Sequence, residues 1–438
     1  MTPSSWDAGS DRLAPFLSAR GRAARMPDGI RVWGERAARA GALDATMGVI
    51  TGSDGGIAFL PQVRAAFADW SPGEVFPYAP VAGVRAFRDG WRRWLAGKSA
   101  GGDFAAAAPL AERFTAPIAT AGVSGALGAM GHVLLDPGDR VLVPDRRWDG
   151  YDTTFGVISG ARVESVRLLD REAWDLAAWK AALEDVAREQ ERVVCVVNFP
   201  HNPTGYVPTA AEAEAFADLA ADVAERSGKA VVVLCDDAYE GYVYTDRPRW
   251  SLFYRLVDRH PRLLPVKCDG ITKELLFWGG RLGAITTVFS AGWDADARAS
   301  AETVWENKLS AVIRGMISSA STPVQTLVAR LLADPERLLA ERAPLIALLV
   351  ERRAALAAAL ETPAARAAFR PDPFHGGLFA LLNLRQGEAV ARAERLLAED
   401  RIGVVPFRDA ACDVNAIRVT YATVPTDRIA GLIRAAAT

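Results

Sequence analysis

From about residue 115 to residue 290, short apolar runs alternate with stretches whose apolar positions recur every three or four residues. The runs at 116–120, 141–143, 163–168, 192–198, 230–235, 263–268 and 283–289 read as strands. Those at 192–198 and 230–235 are hydrophobic almost throughout, which fits strands covered on both faces, as in a parallel sheet. Between strands, Leu176, Trp179, Leu183 and Val186 form one apolar face of a helix over 172–189. Phe216, Leu219, Ala220 and Val223 do the same over 209–227. That second helix opens with Thr209 and Glu212 in capping-box spacing and stops before Gly228. Strand alternating with helix predicts a doubly wound α/β layer with right-handed crossovers.

The C-terminal third has a different pattern. Residues 322–361 predict helix, broken at Asp334-Pro335. A strand-like stretch at 376–382, a helix at 387–399 and strands near 402–405 and 416–421 follow, which together read as a smaller α+β domain. The first 57 residues hold too little core to stand alone and are expected to pack with it. The expected division is a large domain over 58–325 and a small one built from 1–57 and 326–438.

Composition narrows the class. The chain has 438 residues, 50% hydrophobic and 24% charged, which excludes a disordered chain, a collagen and a disulfide miniprotein. With 51 basic and 53 acidic residues the net charge is -2, and no Lys/Arg cluster marks a nucleic-acid footprint. Cys195, Cys235, Cys268 and Cys412 form no C-x-x-C pair, and the first three fall in apolar runs that read as buried strands. The four histidines lack zinc-site spacing. No apolar run approaches the ~18 residues of a membrane span. Residues 11–25 are Arg-rich, but Asp7, Asp11 and Asp28 argue for a solvated leader, and a cytoplasmic location is expected.

Candidate chemistry clusters where predicted strands end, the ligand-binding edge of an open parallel sheet. Gly122-Val123-Ser124-Gly125 lies between a strand and a helix and reads as a phosphate cup, with a plain turn as the rival. Its glycine spacing is wrong for a dinucleotide site, and it lacks the last Gly of a nucleophile elbow. Trp148 could stack on a planar ligand or fill the core. Asn202-Pro203-Thr204-Gly205 is turn chemistry that would aim an amide into the sheet-end crevice. Asp236 and Asp237 leave a buried strand, so one of them should face a cation, and Tyr239 follows. Lys273 and Arg281 stand in a stretch with few other charges; a lysine near apolar surface loses its proton readily and can attack a carbonyl. One cofactor asks for a phosphate cup, a stacking ring, an amide, an acid and a lysine in this order: pyridoxal phosphate.

In these motifs the chain resembles the class I/II aminotransferases of the pyridoxal-phosphate (PLP) fold type I, and in detail the aspartate/aromatic aminotransferase group, from about Gly48 to Arg418. The resemblance implies a large, mostly parallel seven-stranded sheet domain with a smaller α+β domain. It makes Lys273 the Schiff-base lysine, Asp236 the acid that holds the ring nitrogen protonated, and Asn202 and Tyr239 the donors to the phenolic oxygen. Gly122, Val123, Ser124 and Arg281 match the phosphate binders and Trp148 the stacking residue. Tyr78 resembles a tyrosine that reaches the phosphate from a neighbouring subunit, and Arg418 the clamp on the substrate α-carboxylate. Gly48 resembles part of a mobile loop over the substrate. Arg314 falls where a partner-subunit arginine meets a side-chain carboxylate, with a structural salt bridge as the alternative. The implied partners are an amino acid, a 2-oxo acid and a second copy of the chain.

Four departures stand out. Thr272 replaces a Ser, Gly270 stands where a phosphate-binding Ser often sits, Val123 replaces a small residue, and Tyr151 takes the place of a His that supports the site in the aspartate enzymes. The expected activity is therefore PLP-dependent amino-group transfer through Lys273. PLP-dependent elimination, replacement or carbon–carbon bond formation is the alternative on the same scaffold. A non-catalytic PLP-binding regulator and a Ser124 hydrolase are the more distant readings.

Overall fold

The structure, a computed structural model, describes residues 13–27, 29–409 and 414–438. Asp7, Asp11, Asp28 and Cys412 lie outside the described residues. Each of the seven apolar runs becomes a strand of one sheet: β1 (Ile118–Thr120), β2 (Arg140–Pro144), β3 (Arg162–Val166), β4 (Arg192–Val197), β5 (Ala230–Asp236), β6 (Leu263–Gly270) and β7 (Gly283–Thr287). Their order is β1-β7-β6-β5-β4-β2-β3. The pairs from β6 through β3 are parallel, and β7 runs antiparallel to both β6 and β1.

The continuously hydrophobic β4 and β5 sit at the centre. Alternate residues serve opposite faces. Cys195, Val197, Val233 and Cys235 join one core, and Val194, Val196, Val232 and Leu234 the other. On the first face pack Trp179 and Leu183 of the helix Leu176–Glu189 and Phe216 and Val223 of the helix Ala210–Ser227. On the second pack Leu127 and Met130 of the helix Gly122–Leu134 with Leu309 and Ile313 of the helix Ala295–Ile317. Thr209 and Glu212 form the capping box, and Gly228 ends its helix in the left-handed region at φ 66°. Cys195, Cys235 and Cys268 are buried free thiols.

A second, four-stranded antiparallel sheet has the order β8-β9-β11-β10, from β8 (Phe369–Pro371), β9 (Phe379–Leu384), β10 (Val405–Asp409) and β11 (Val414–Thr420). The strand-like reading at 376–382 thus starts later than expected. Gly376 and Gly377 spend their N–H groups on the carbonyls of Gly205 and Tyr242 instead of a ladder. Residues 405–409 pair over their full length with β11, so three short strands replace the two expected.

The N-terminal segment divides between the two cores. Trp33, Ala37 and Ala45 pack with the small sheet, and Leu43–Asp44 pairs with Ile402–Gly403. Ile50, Ala58 and Leu60 join the large core. The helix Pro335–Leu360 also spans both, with Leu338 and Leu349 in the large core and Leu356 and Leu360 in the small one. Asp334 caps it by accepting from the Arg337 N–H, and Pro335 opens its first turn.

Candidate functional site

The carboxyl ends of β1, β2, β4, β5 and β6 face the same edge of the sheet. The residues that follow these strands line a cavity of ≈ 280 Å³, together with residues from the small sheet and the N-terminal segment. Gly48, Val123, Ser124, Trp148, Asn202, Asp236, Tyr239, Lys273 and Arg418 all line it. Lys273 Nζ lies 4.8 Å above the Tyr239 ring, and the Lys273 carbonyl accepts from the Tyr242 hydroxyl at 2.6 Å. That bond fixes the short turn after β6 from which the ammonium projects.

Asp236 is buried, and burial pushes its carboxyl above the usual range. The Tyr151 hydroxyl donates to its Oδ2 at 2.6 Å, and the Ala238 N–H to its Oδ1 at 3.2 Å. Among the described residues it makes no salt bridge. Asp237 faces the other side of the strand and pairs with Lys267. Asn198 ties the neighbouring strand ends together: its Nδ2 donates to the Asp236 carbonyl at 2.6 Å and its Oδ1 accepts from the Asn202 N–H at 2.8 Å.

Arg418 enters from β11 and is 2% exposed. It donates to Asn202 Oδ1 at 3.1 Å and to the Thr46 carbonyl, and its guanidinium lies 4.2 Å from the Phe379 ring centre. Its Nε has no partner, and burial lowers its pKa to about 10. A buried, half-satisfied guanidinium facing a cavity is built to receive a carboxylate.

Gly122 and Arg281 do not line the cavity themselves; they meet each other next to Val123 and Thr272. Gly122 has φ 72° and begins the helix Gly122–Leu134, whose first N–H groups have no helical acceptor. A Cβ on Gly122 would stand 2.8 Å from Arg281 Nη2. Arg281 also donates to Thr272 at 3.3 Å. The backbone here is close-packed: a Cβ on Gly270 would lie 2.7 Å from the Leu282 carbonyl, and one on Gly283 2.5 Å from the Gly122 carbonyl carbon. Gly270 therefore has no room for the serine that the resemblance would put there.

Tyr78 and Arg314 do not line the cavity of their own chain, and both are exposed, Tyr78 at 90%. Asn198, Trp278 and Phe379 are among the lining residues that sequence reasoning missed. Asn198 directly follows the β4 run. Trp278 donates to the Gly48 carbonyl at 3.1 Å and so holds the N-terminal loop over the site. Phe379 lies against both Arg418 and Tyr239. The strand-end position could have flagged Asn198; nothing local marks Phe379.

The donor set has a definite chemical shape. It offers N–H groups and an arginine for an anion, a buried acid that makes no salt bridge among the described residues, a Trp beside the cavity and a lysine facing inward. These fit an anionic, planar pyridinium aldehyde. A match to the family model for aminotransferase class I and II spans residues 53–435. The chain belongs to this family. Among curated relatives of this aminotransferase-family chain, a probable N-acetyl-LL-diaminopimelate aminotransferase of Bacillus subtilis is 26% identical over 51% of each chain. An aspartate aminotransferase of Streptomyces avermitilis is 30% identical over 34% of each. The alignments thus span about half or less of the curated relatives' length. Solved structures share the fold across nearly the whole chain. An aminotransferase from Anaerococcus prevotii has TM-score 0.80 at 20% identity, covering 97% of this chain and 98% of that one. Aspartate aminotransferase from Thermus thermophilus with maleate has TM-score 0.74 at 23% identity, covering 96% and 98%.

Proposed function

We propose that this family member is a PLP-dependent aminotransferase that moves an amino group between an α-amino acid and a 2-oxo acid. One observation carries the reading: Asp236, buried and held by Tyr151, faces the same cavity as Lys273 and Arg418. Gly122, Val123, Ser124 and Arg281 would hold the phosphate, Trp148 the ring face, Asn202 and Tyr239 the phenolic oxygen, and Asp236 the ring nitrogen. The bound cofactor would supply an aldehyde for amine exchange and a conjugated ring able to accept an electron pair.

The chain's own residues do the rest. Arg418 binds the substrate carboxylate and, with Asn202, fixes its orientation. Lys273 Nζ takes the proton from the substrate Cα as general base and delivers it again as general acid. Asp236 would hold positive charge at the ring nitrogen, and the Tyr151 hydroxyl, by donating to its carboxylate, opposes the upward push of burial. Trp278, through Gly48, keeps the N-terminal loop closed over the reacting atoms and limits water.

We further propose a homodimer with shared sites. Tyr78 at 90% and Phe76 at 82% exposure put aromatic surface where a second copy would cover it. Arg314 makes no ion pair among the described residues, which favours a role toward the partner's substrate over a salt bridge within its own chain.

The deciding experiment is an absorption spectrum of the PLP-loaded protein before and after single amino acids are added, with Lys273→Ala as control. Loss of the visible band to the near-ultraviolet band of pyridoxamine phosphate, reversed by a 2-oxo acid, is expected. A released olefin or ketone with the visible band restored would replace transfer by elimination. Absence of any visible band in the wild type would overturn the cofactor assignment.

A further inference from the structure

A second cavity of ≈ 270 Å³ adjoins the first and shares Ile30, Trp148, Asn202 and Arg418 with it. Most charged groups around it already have partners. Asp145 holds Arg146 at 2.7 Å, Arg147 pairs with Asp152 at 2.8 Å, and Arg408 pairs with Glu388 at 3.1 Å. Asp149 is the exception. Among the described residues its carboxylate makes no ion pair and accepts from no side chain. Only its own N–H and that of Gly150 support it. Its Oδ2 sits so close over Gly29 that a Cβ there would be 2.4 Å away.

From this geometry we infer that Asp149 is a specificity-determining residue that selects an amino donor whose side chain ends in a cationic N–H group, an amine or a guanidinium. The inference rests on the aminotransferase reading above. Arg418 takes the α-carboxylate with its free Nε edge, leaving Asp149 to meet the distal end of the same substrate. Burial raises the Asp149 carboxyl while the Arg418 charge opposes the rise. A half-buried acid of this kind gains from a bound cation. An acidic donor, by contrast, would bring a second carboxylate beside it, and like charges at close range repel.

The test uses the PLP-loaded protein and three unreactive carboxylates in calorimetric titrations: 4-guanidinobutanoate, hexanoate and adipate. The guanidinium compound should bind roughly tenfold tighter than hexanoate, the size expected of a charge-assisted hydrogen bond, and adipate most weakly. Asp149→Asn, its fold checked by the visible cofactor band and the melting temperature, should bring the first two within about twofold of each other. Tightest binding by adipate, an unchanged preference in Asp149→Asn, or no binding of 4-guanidinobutanoate would overturn the inference. Single-turnover conversion of the cofactor by lysine, norleucine and glutamate is read separately. Conversion by none of them, with the guanidinium preference intact, would remove the transamination reading and leave the cation site standing.

Discussion

The Tyr151 hydroxyl lies 2.6 Å from Asp236 Oδ2, on the buried side of an acid that lines the cavity. The two residues are 85 positions apart in sequence and meet because β2 and β5 end at the same edge of the sheet. Burial alone drives the Asp236 carboxyl upward, toward the neutral form that could not hold a ring cation. The phenol opposes this by donating to the ionised form. Tyr151→Phe should therefore weaken cofactor binding and slow turnover together, each by about 10–100-fold, the range for a hydrogen bond to a charged group. Titrating PLP into the variant and measuring kcat checks this. Equal cofactor affinity in both proteins would show that Asp236 needs no such support.

Arg418 divides its fork between Asn202 and the Thr46 carbonyl. A lysine has the charge but cannot reach both while offering a further edge. Arg418→Lys should lower kcat/KM for amino donors by about 10–100-fold and leave the visible cofactor band in place. Steady-state kinetics beside the spectrum separates the two effects.

Behind the site, Lys98 and Lys267 are both fully buried. Lys98 lies 2.6 Å from Glu240 and 2.9 Å from Glu274, and Lys267 bridges Glu240 and Asp237. Burial would lower Lys267, but Asp237 and Glu240 outweigh it and raise it. Lys267→Met leaves the buried Asp237 without its cation and Glu240 with Lys98 alone, and should cost about 3–5 kcal/mol of stability. The urea midpoint measures this. A smaller loss with a uniquely folded protein would mean that the acids take up protons instead.

Burial lowers His201 to about 3. The unfolded chain would protonate this histidine near pH 6.5, so below that value it binds a proton that the folded state refuses. Stability should fall as pH drops from about 6.5, by about 2–3 kcal/mol at about pH 4.5 from this one group. Urea midpoints from neutral to mildly acid pH test this, and His201→Gln should flatten part of the slope.

A Cβ on Gly270 would stand 2.7 Å from the Leu282 carbonyl. Gly270→Ser, which would add a hydroxyl toward the phosphate, should therefore lower the melting temperature and weaken PLP binding. Tighter PLP binding would show that the strand can shift to admit the side chain.

Much of this was legible in the sequence because it is local. Continuous apolar runs at 192–198 and 230–235 can be covered only on both faces, so they fixed the centre of a parallel sheet. Thr209, Glu212 and Gly228 encode helix ends in their own chemistry. Strand-end motifs carry Asn202, Asp236 and Lys273 on one short turn each, and a shared sheet edge brings them into one cavity. Tertiary packing decided what no local pattern encodes. β7 runs antiparallel because of where the chain returns, not because its residues differ from those of β6. Phe379 and Arg418 reach the cavity from the small sheet, 140 and 216 residues from Tyr239 and Asn202 respectively. Tyr151 meets Asp236, and Asp149 is left without an ion pair among the described residues, only once the folded chain has set Arg147 on Asp152 and Arg146 on Asp145. Sequence spacing sets short-range geometry; the pairing of buried charges depends on which groups the folded chain brings within a few ångströms, and that is settled only when the whole core closes.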